Sequence, residues 1–346
     1  MIHFGNDYHR SAHPRVLEAI ARAEGPFDGY GLDPLCAKAA AAIRGACQAP
    51  EAGVHFLVGG TQTNATVIAS QLRPWEGVIS ADGGHIATHE TGAIEHAGHK
   101  VLTLPADLGK ISAEQVDSCV REYHDSGVEE HMPEPAMVYV SQPTEYGTVY
   151  SRAELRALRE VCDEHGLSLF VDGARLGYAL SASDVTLPEL ATLAHVFSIG
   201  GTKCGALFGE AVVFPRTSTS ARVSDARFRN AMKQNGALLA KGWLLGAQFT
   251  ALFTDDLYAT ICAQANAQAR RIAQAFATAG IDMLFDSPTN QQFALLTREQ
   301  EEALSEQFVC QFFEEHQGLR AVRFCTSWAT DEEDVDALCA AISALK

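Results

Sequence analysis

The chain predicts an α/β fold, with a mostly parallel central sheet in a large domain and a smaller C-terminal α/β domain after it. Three observations carry this reading. Short apolar runs alternate with helix-patterned stretches up to about residue 215, and such alternation requires crossover connections between largely parallel strands. Residues 220–280 then read as mostly helical, after which strand and helix signals alternate again to the end. At 346 residues the chain is too long for one small domain, and with 47% hydrophobic and 20% charged residues it can bury a sizeable core. The expected division is 1–245 and 246–346, with residues 1–15 reaching the smaller domain.

Taken in order, a helix is expected over 13–20, with Pro14 in its first turn. Another covers 33–47, where Leu35, Ala39, Ile43 and Cys47 fall at helical spacing. Residues 27–31 between them, with Gly29 and Gly31 flanking Tyr30, form a loop. The apolar strand at 54–58 runs into Gly59-Gly60-Thr61-Gln62-Thr63-Asn64, followed by a helix over 65–72. A strand at 77–80 leads to Asp82-Gly83-Gly84-His85, then a helix from about 89 to 97 and a strand over 100–104. Ser112 and Gln115 form a capping box for helix 111–124. The strand at 135–140 ends in Gln142-Pro143-Thr144-Glu145-Tyr146-Gly147, and Ser151 with Glu154 caps a helix to about 165. Strands follow at 169–172, 195–199 and 210–214. The C-terminal part reads as strand 292–296, helix 299–316, strand 319–325 and helix 331–345.

The formal net charge of −17 argues against a nucleic-acid or anionic-membrane partner. Arg222, Arg227, Arg229, Lys233 and Lys241 make a basic stripe in this acidic chain, read for the most part as a solvated helix face. No apolar run approaches the ~18 residues of a membrane span, and the N-terminus carries no signal-peptide pattern. Nine scattered cysteines without a Cys-x-x-Cys pair suit a reducing cytoplasm and do not suggest a metal site. Cys204 reads as a small packing residue.

The chemistry-bearing residues fall just after strands, where open α/β sheets bind ligands. Gly60 and Thr61 lie where a strand, a glycine turn and a helix start combine free N–H groups with the helix dipole, an arrangement suited to an anion. This run is neither Gly-x-Gly-x-x-Gly nor a Walker A motif. Val171-Asp172-Gly173-Ala174-Arg175 ends one apolar run, and Gly200-Gly201-Thr202-Lys203 follows another about thirty residues on. A lysine able to form a Schiff base, and a strand-end carboxylate able to keep a pyridine nitrogen protonated, are the groups that pyridoxal 5′-phosphate needs. His85 reads either as a hydrogen-bonded loop histidine or as a ring stacked on a flat cofactor. His89 and Glu90 lie near the next helix start. Arg323, alone in the apolar strand Ala321-Val322-Arg323-Phe324, needs a partner, either in a structural ion pair or in a substrate carboxylate held by a bidentate contact.

Residues 171–176, Gly201-Thr202-Lys203, Gly60-Thr61 and His85 together resemble the low-specificity L-threonine aldolases, in order and spacing over nearly the whole chain. These belong to the β-eliminating lyase group of fold-type-I (aspartate-aminotransferase-like) pyridoxal phosphate enzymes. The resemblance implies that Lys203 carries the cofactor, Asp172 binds the pyridine nitrogen, His85 stacks on the ring, and Gly60 with Thr61 holds the phosphate. Arg175, Arg323 and Asn6 would hold the substrate carboxylate. The family is usually tetrameric with shared active sites, which implies a homo-oligomer here, with a basic residue near Lys233 or Lys241 reaching a neighbour's phosphate. Three departures stand out: Asn6 where many members have serine, Cys204-Gly205 after the lysine, and Glu145 where the family often has a histidine at the substrate's β-hydroxyl. Glu145 or His89 would take that histidine's place.

The expected reaction is retro-aldol cleavage of an L-β-hydroxy-α-amino acid to glycine and an aldehyde, with His85 as base and Glu145 as its rival. Other pyridoxal phosphate reactions on the same scaffold (β-elimination, racemisation, transamination) are the alternatives. A cofactor-free sugar- or nucleotide-binding α/β protein is the reading from a different class.

Overall fold

The computed structural model describes residues 1–215 and 223–345. In chain order its strands are β1 (Ile2–His3), β2 (Gly53–Leu57), β3 (Glu76–Ala81), β4 (Lys100–Leu104), β5 (Glu134–Ser141) and β6 (Ser168–Asp172). They continue as β7 (Val196–Gly200), β8 (Glu210–Phe214), β9 (Gln291–Leu296), β10 (Phe308–Val309), β11 (Gln311–His316) and β12 (Leu319–Cys325). Seven of them form the central sheet in the order β2-β8-β7-β6-β5-β3-β4. From β7 to β4 every pairing is parallel, while β8 runs antiparallel to both its neighbours. The mostly parallel α/β sheet expected from the alternating pattern is therefore present. Strands β3, β6, β7 and β8 are buried along their whole length, and their mainly apolar sequences suit a sheet covered on both faces.

One core cluster packs Val138, Leu169, Phe197 and Ile199 against helix residues such as Leu155, Leu158 and Ile261. A second packs Val78, Met137, Phe170 and Val212 against Val67, Ile68 and Phe228. Both expected capping boxes form, at Ser112/Gln115 and Ser151/Glu154. The sheet β11-β12-β9 and the helices Leu257–Thr278 and Glu332–Ser343 enclose a third cluster, with Phe276, Phe324 and Leu338 at its centre. Phe4 is buried in that cluster too, and β1 pairs in parallel with β10. Position 246 lies inside helix Trp243–Leu252. No helix among the described residues is long and apolar enough to cross a membrane.

Several elements differ from the sequence reading. The helix expected over 299–316 stops at Ser305, and Gln311–His316 is a strand. Its turn explains why: His316 pairs with Leu319 across Gln317 and Gly318, both at positive φ (50° and 83°), the backbone of a tight hairpin. The helix placed over 65–72 begins at Gly60. The one placed from about 89 to 97 is two single turns, His85–Thr88 and Ala93–His96, broken by Thr91 and Gly92 at positive φ. In the stretch read as mostly helical, Phe228–Gln234, Trp243–Leu252 and Leu257–Thr278 are helices, while Arg222 lies outside the described residues.

Candidate active site

Gly60, His85, Glu145, Asp172 and Lys203 all stand at or just beyond the same end of the central sheet, after β2, β3, β5, β6 and β7. The structure thus brings these sequence-predicted positions to one rim. Helix Gly60–Gln71 starts there, and its first intrahelical bond is Thr63 N–H to Gly59 C=O at 2.9 Å. The N–H groups of Gly60, Thr61 and Gln62 precede that bond, so they have no helical acceptor. A Cβ built on Gly60 would meet no atom within 4 Å. That open cradle at a helix N-terminus fits a phosphate. Gln62 is occupied otherwise: its side chain accepts from Val58 N–H and donates to Asn235 C=O, both at 3.3 Å.

Asp172 is the hub of a buried network. Its Oδ2 accepts from Tyr139 OH at 2.5 Å and from Asn64 Nδ2 at 2.8 Å, and its Oδ1 accepts from Ala174 N–H at 2.9 Å. Burial, then the Asp172 charge, pushes the Tyr139 phenol up, so it remains a donor. Asn64 Nδ2 also donates to Glu90 Oε1 at 2.7 Å, and the same oxygen meets His85 Nδ1 at 2.7 Å. Facing a carboxylate, Nδ1 is the protonated ring nitrogen, which leaves the Nε2 lone pair free to take a proton. The expected pair, His85 and Asp172, is thus joined through Glu90 and Asn64. Those two residues, with Tyr139, were not singled out for the site by sequence reasoning. The available signals were an amide ending the glycine–threonine run and a carboxylate about one helical turn beyond His85.

Glu145 Oε1 accepts the His85 backbone N–H at 3.0 Å and the Ser141 hydroxyl at 2.7 Å. Glu145 therefore fixes the turn that carries the imidazole. Burial raises its carboxyl above the ordinary range. The His89 ring lies 5.7 Å from the His85 ring and is tilted by 57° to it. Burial, and then the positive potential of His85, Arg323, Lys203 and Arg175, lowers its pKa from the ordinary imidazole value.

The two arginines differ. Arg175 donates Nε and Nη2 to Asp7 Oδ2 and Oδ1 at 2.6 and 3.1 Å, a bidentate pair. Burial alone would raise the Asp7 carboxyl, but the Arg175 and Lys203 charges and the bonds from Arg175 and Asn290 outweigh it and hold it at about 2. Arg323 donates to Gln291 Oε1 at 2.9 Å, to Gly5 C=O at 3.1 Å and to Gln311 Oε1. Those acceptors are neutral, so its charge is uncompensated by them, and its buried Nε has no partner. Asn6 uses its side-chain oxygen on the Tyr8 N–H at 3.0 Å, and the neighbouring Asp7 meets Arg175.

Lys203 rides on the loop between β7 and β8, which is closed where Gly201 and Thr202 N–H meet Gly209 C=O at 3.0 and 3.1 Å. Tyr178 OH holds the Lys203 carbonyl at 2.6 Å. Burial and Arg175 lower the ammonium pKa, against the opposing pull of Asp7, Asp172 and Glu210. A lowered pKa favours the neutral, nucleophilic amine. Cys204 is fully buried beneath the loop, as its packing role predicts, and Gly205 sits at φ +100°, where a Cβ would crowd Ile261 at 2.8 Å. That pair of contacts accounts for the Cys204-Gly205 sequence after the lysine.

Residues 10–299 match the family model described as beta-eliminating lyase. The chain belongs to this family. It is similar, at 31% identity over 338 residues, to the low specificity L-threonine aldolase of Pseudomonas aeruginosa, covering 96% of this chain and 94% of that protein. Against a solved threonine aldolase from Leishmania major it shows 41% identity and a TM-score of 0.94, covering 99% and 98% of the two chains. A Thermus thermophilus aspartate aminotransferase variant superposes with a TM-score of 0.73 at 16% identity, over 99% of this chain and 91% of that one. This last likeness concerns the fold alone.

In this beta-eliminating lyase family member, the residues at the rim fit pyridoxal 5′-phosphate. The open cradle at Gly60 suits its phosphate, the Asp172 carboxylate its pyridine nitrogen, and the Lys203 amine its aldehyde. The buried atoms Asn64 Oδ1, Glu90 Oε2, Glu210 Oε2 and Arg323 Nε all lack partners. Buried polar atoms seldom stay unpaired, and these belong to residues of one network or its direct electrostatic neighbours.

Proposed function

We propose that this protein is a pyridoxal 5′-phosphate-dependent aldolase. It cleaves L-threonine, L-allo-threonine and related L-β-hydroxy-α-amino acids to glycine and an aldehyde. The observation that carries the reading is the His85 imidazole, fixed by Glu90 with its Nε2 free, on the same rim as Lys203, Asp172 and Arg175. Similarity to two threonine aldolases supports the substrate class.

When bound, the cofactor supplies the electron sink for the broken Cα–Cβ bond. Everything else falls to the chain. Lys203 would hold the cofactor through its ε-amine. Asp172, oriented by Tyr139 and Asn64, keeps the pyridine nitrogen protonated. Gly60 and Thr61 receive the phosphate. Arg323 supplies the free positive charge for the substrate carboxylate, and Arg175, already paired with Asp7, orients it. His85 Nε2 takes the proton from the β-hydroxyl, and Glu90 stabilises the imidazolium so formed. Glu145 holds the His85 turn, and His89 stands beside it where the substrate side chain would enter. The protein acts as a homo-oligomer, a tetramer with shared sites, in the cytoplasm. Nine free thiols suit that reducing setting. Residues 246–346 form the smaller domain.

Incubation of the purified protein with L-threonine, L-allo-threonine and L-phenylserine tests the reaction. Glycine with the matching aldehyde is expected. Pyruvate-type keto acids with ammonia would replace the aldolase by a β-eliminating enzyme. Borohydride reduction should lock the visible chromophore onto Lys203, and Lys203→Ala should abolish that adduct. An adduct on another lysine would remove Lys203 from its assigned role.

A further inference from the structure

Two arginines of one strand have opposite surroundings. Arg320 and Arg323 both lie on β12. Arg320 pairs with two carboxylates, those of Glu301 and Glu315. Arg323 pairs with none among the described residues. Its Nη1 donates to Gln291 Oε1 at 2.9 Å, and its Nη2 donates to Gly5 C=O at 3.1 Å and to Gln311 Oε1. The sheet register explains this grip. Gln311 on β11 stands directly opposite Arg323, and Gln291 lies two residues along β9 from Phe293, the partner on the other side. These side chains therefore share one face of the sheet. Three separate stretches of the chain fix one guanidinium, and each offers it a neutral oxygen.

Composition does not account for the amides. The chain holds 43 acidic residues against 26 basic ones, and β11 itself carries Glu314 and Glu315. Gln291 is fully buried, and its Nε2 has no partner. A glutamate there would accept the same bond and orphan no N–H. What the amide preserves is the charge of the arginine. A guanidinium already paired with a protein carboxylate attracts a second carboxylate far less, and the first one repels the newcomer. We propose that Gln291 and Gln311 are positioning residues that aim Arg323 at the substrate carboxylate and, being uncharged, reserve its charge for that group. Arg175 differs in this respect, since the Asp7 carboxylate already holds it.

This inference rests on the reading of Arg323 as the arginine for the substrate carboxylate, and its test separates the two. The cofactor-loaded protein is titrated with glycine and with glycinamide, which lacks the carboxylate, and binding is followed through the absorbance of the cofactor. Gln291→Glu keeps the size and the accepting oxygen and adds a negative charge. Glycine affinity should fall by at least about tenfold, the scale of a lost charge-assisted contact, while glycinamide affinity changes by less than about twofold. In turnover, KM for L-threonine should rise with kcat little changed. Gln311→Glu, on the exposed side of the guanidinium, should act in the same way, and it carries the test if the buried variant fails to fold. Glycine binding unchanged in the glutamate variants overturns the proposal. An equal loss for glycine and glycinamide overturns it too, because a merely structural disturbance would weaken both. Arg323→Met decides the reading beneath. If it weakens glycine binding while the glutamate variants do not, only the role of the two glutamines falls. If it leaves glycine binding unchanged, Arg323 does not hold the carboxylate, and the proposal falls with that reading.

Discussion

At the scale of single residues, the chemistry depends on side chains that hold other side chains. His85 and Asp172 stand out in the sequence because one follows a glycine pair and the other ends an apolar run beside glycine. Their supports do not. Glu90, Asn64, Tyr139 and Asp7 sit in stretches whose local pattern describes only a helix, a strand or a loop, and the fold alone brings them together. The Glu90 carboxylate serves two donors through one oxygen, His85 Nδ1 and Asn64 Nδ2, both at 2.7 Å. In Glu90→Gln the amide oxygen can still accept both bonds, so the ring should keep its place. The negative charge beside the imidazolium is lost. We expect kcat to fall by about 10²-fold, within the range for a general base deprived of its support. Cofactor affinity, read by absorbance titration, should change only a few-fold. An unaltered kcat would mean that His85 takes no proton in the rate-limiting step.

At the scale of elements, the central strands are legible because a strand covered on both faces is mainly apolar along its length. Helix starts and hairpins are less so. Residues 60–64 look like a loop by composition, yet they form the first turn of helix Gly60–Gln71, and that shift brings the free N–H groups to the rim. Residues 311–316 are polar enough to pass for a helix surface, while the Gln317-Gly318 turn makes them a strand. The helix start offers a clean test. Gly60 lies within a helix and has open space where a Cβ would project. Gly60→Ala should leave the cofactor-free protein as stable as before, or more so by about 0.5–1 kcal/mol. The added methyl should enter the space assigned to the phosphate and weaken cofactor binding by about tenfold or more. Thermal unfolding and a cofactor titration check the two halves. Unchanged affinity would place the phosphate elsewhere.

At the scale of the whole molecule, the N-terminal segment joins the last part of the chain to the catalytic rim. Phe4 is buried among C-terminal residues, and its carbonyl accepts the Cys325 N–H. Three residues later, Asp7 closes the buried pair with Arg175 and accepts from Asn290 Nδ2 at 3.0 Å. Sequence reasoning chose the polar neighbour, Asn6, because nothing in the local pattern shows which of two adjacent side chains turns inward. Asp7 also makes the fold sensitive to acid in a definite direction. Its folded pKa is held at about 2, below the ordinary 3.8, so its contribution is fully present above about pH 4 and is lost as the pH falls through about 2. A displacement of that size is worth about 2–3 kcal/mol. Asp7→Asn leaves the buried Arg175 charge without its partner, which costs about 3–5 kcal/mol at neutral pH. The difference between wild type and variant should therefore be large at neutral pH and shrink between about pH 4 and about pH 2, as Asp7 itself becomes neutral. Urea unfolding of the cofactor-free proteins across that range measures it. A gap that stays constant down to pH ~2 would mean that the charge of Asp7 does not hold the N-terminal segment in place.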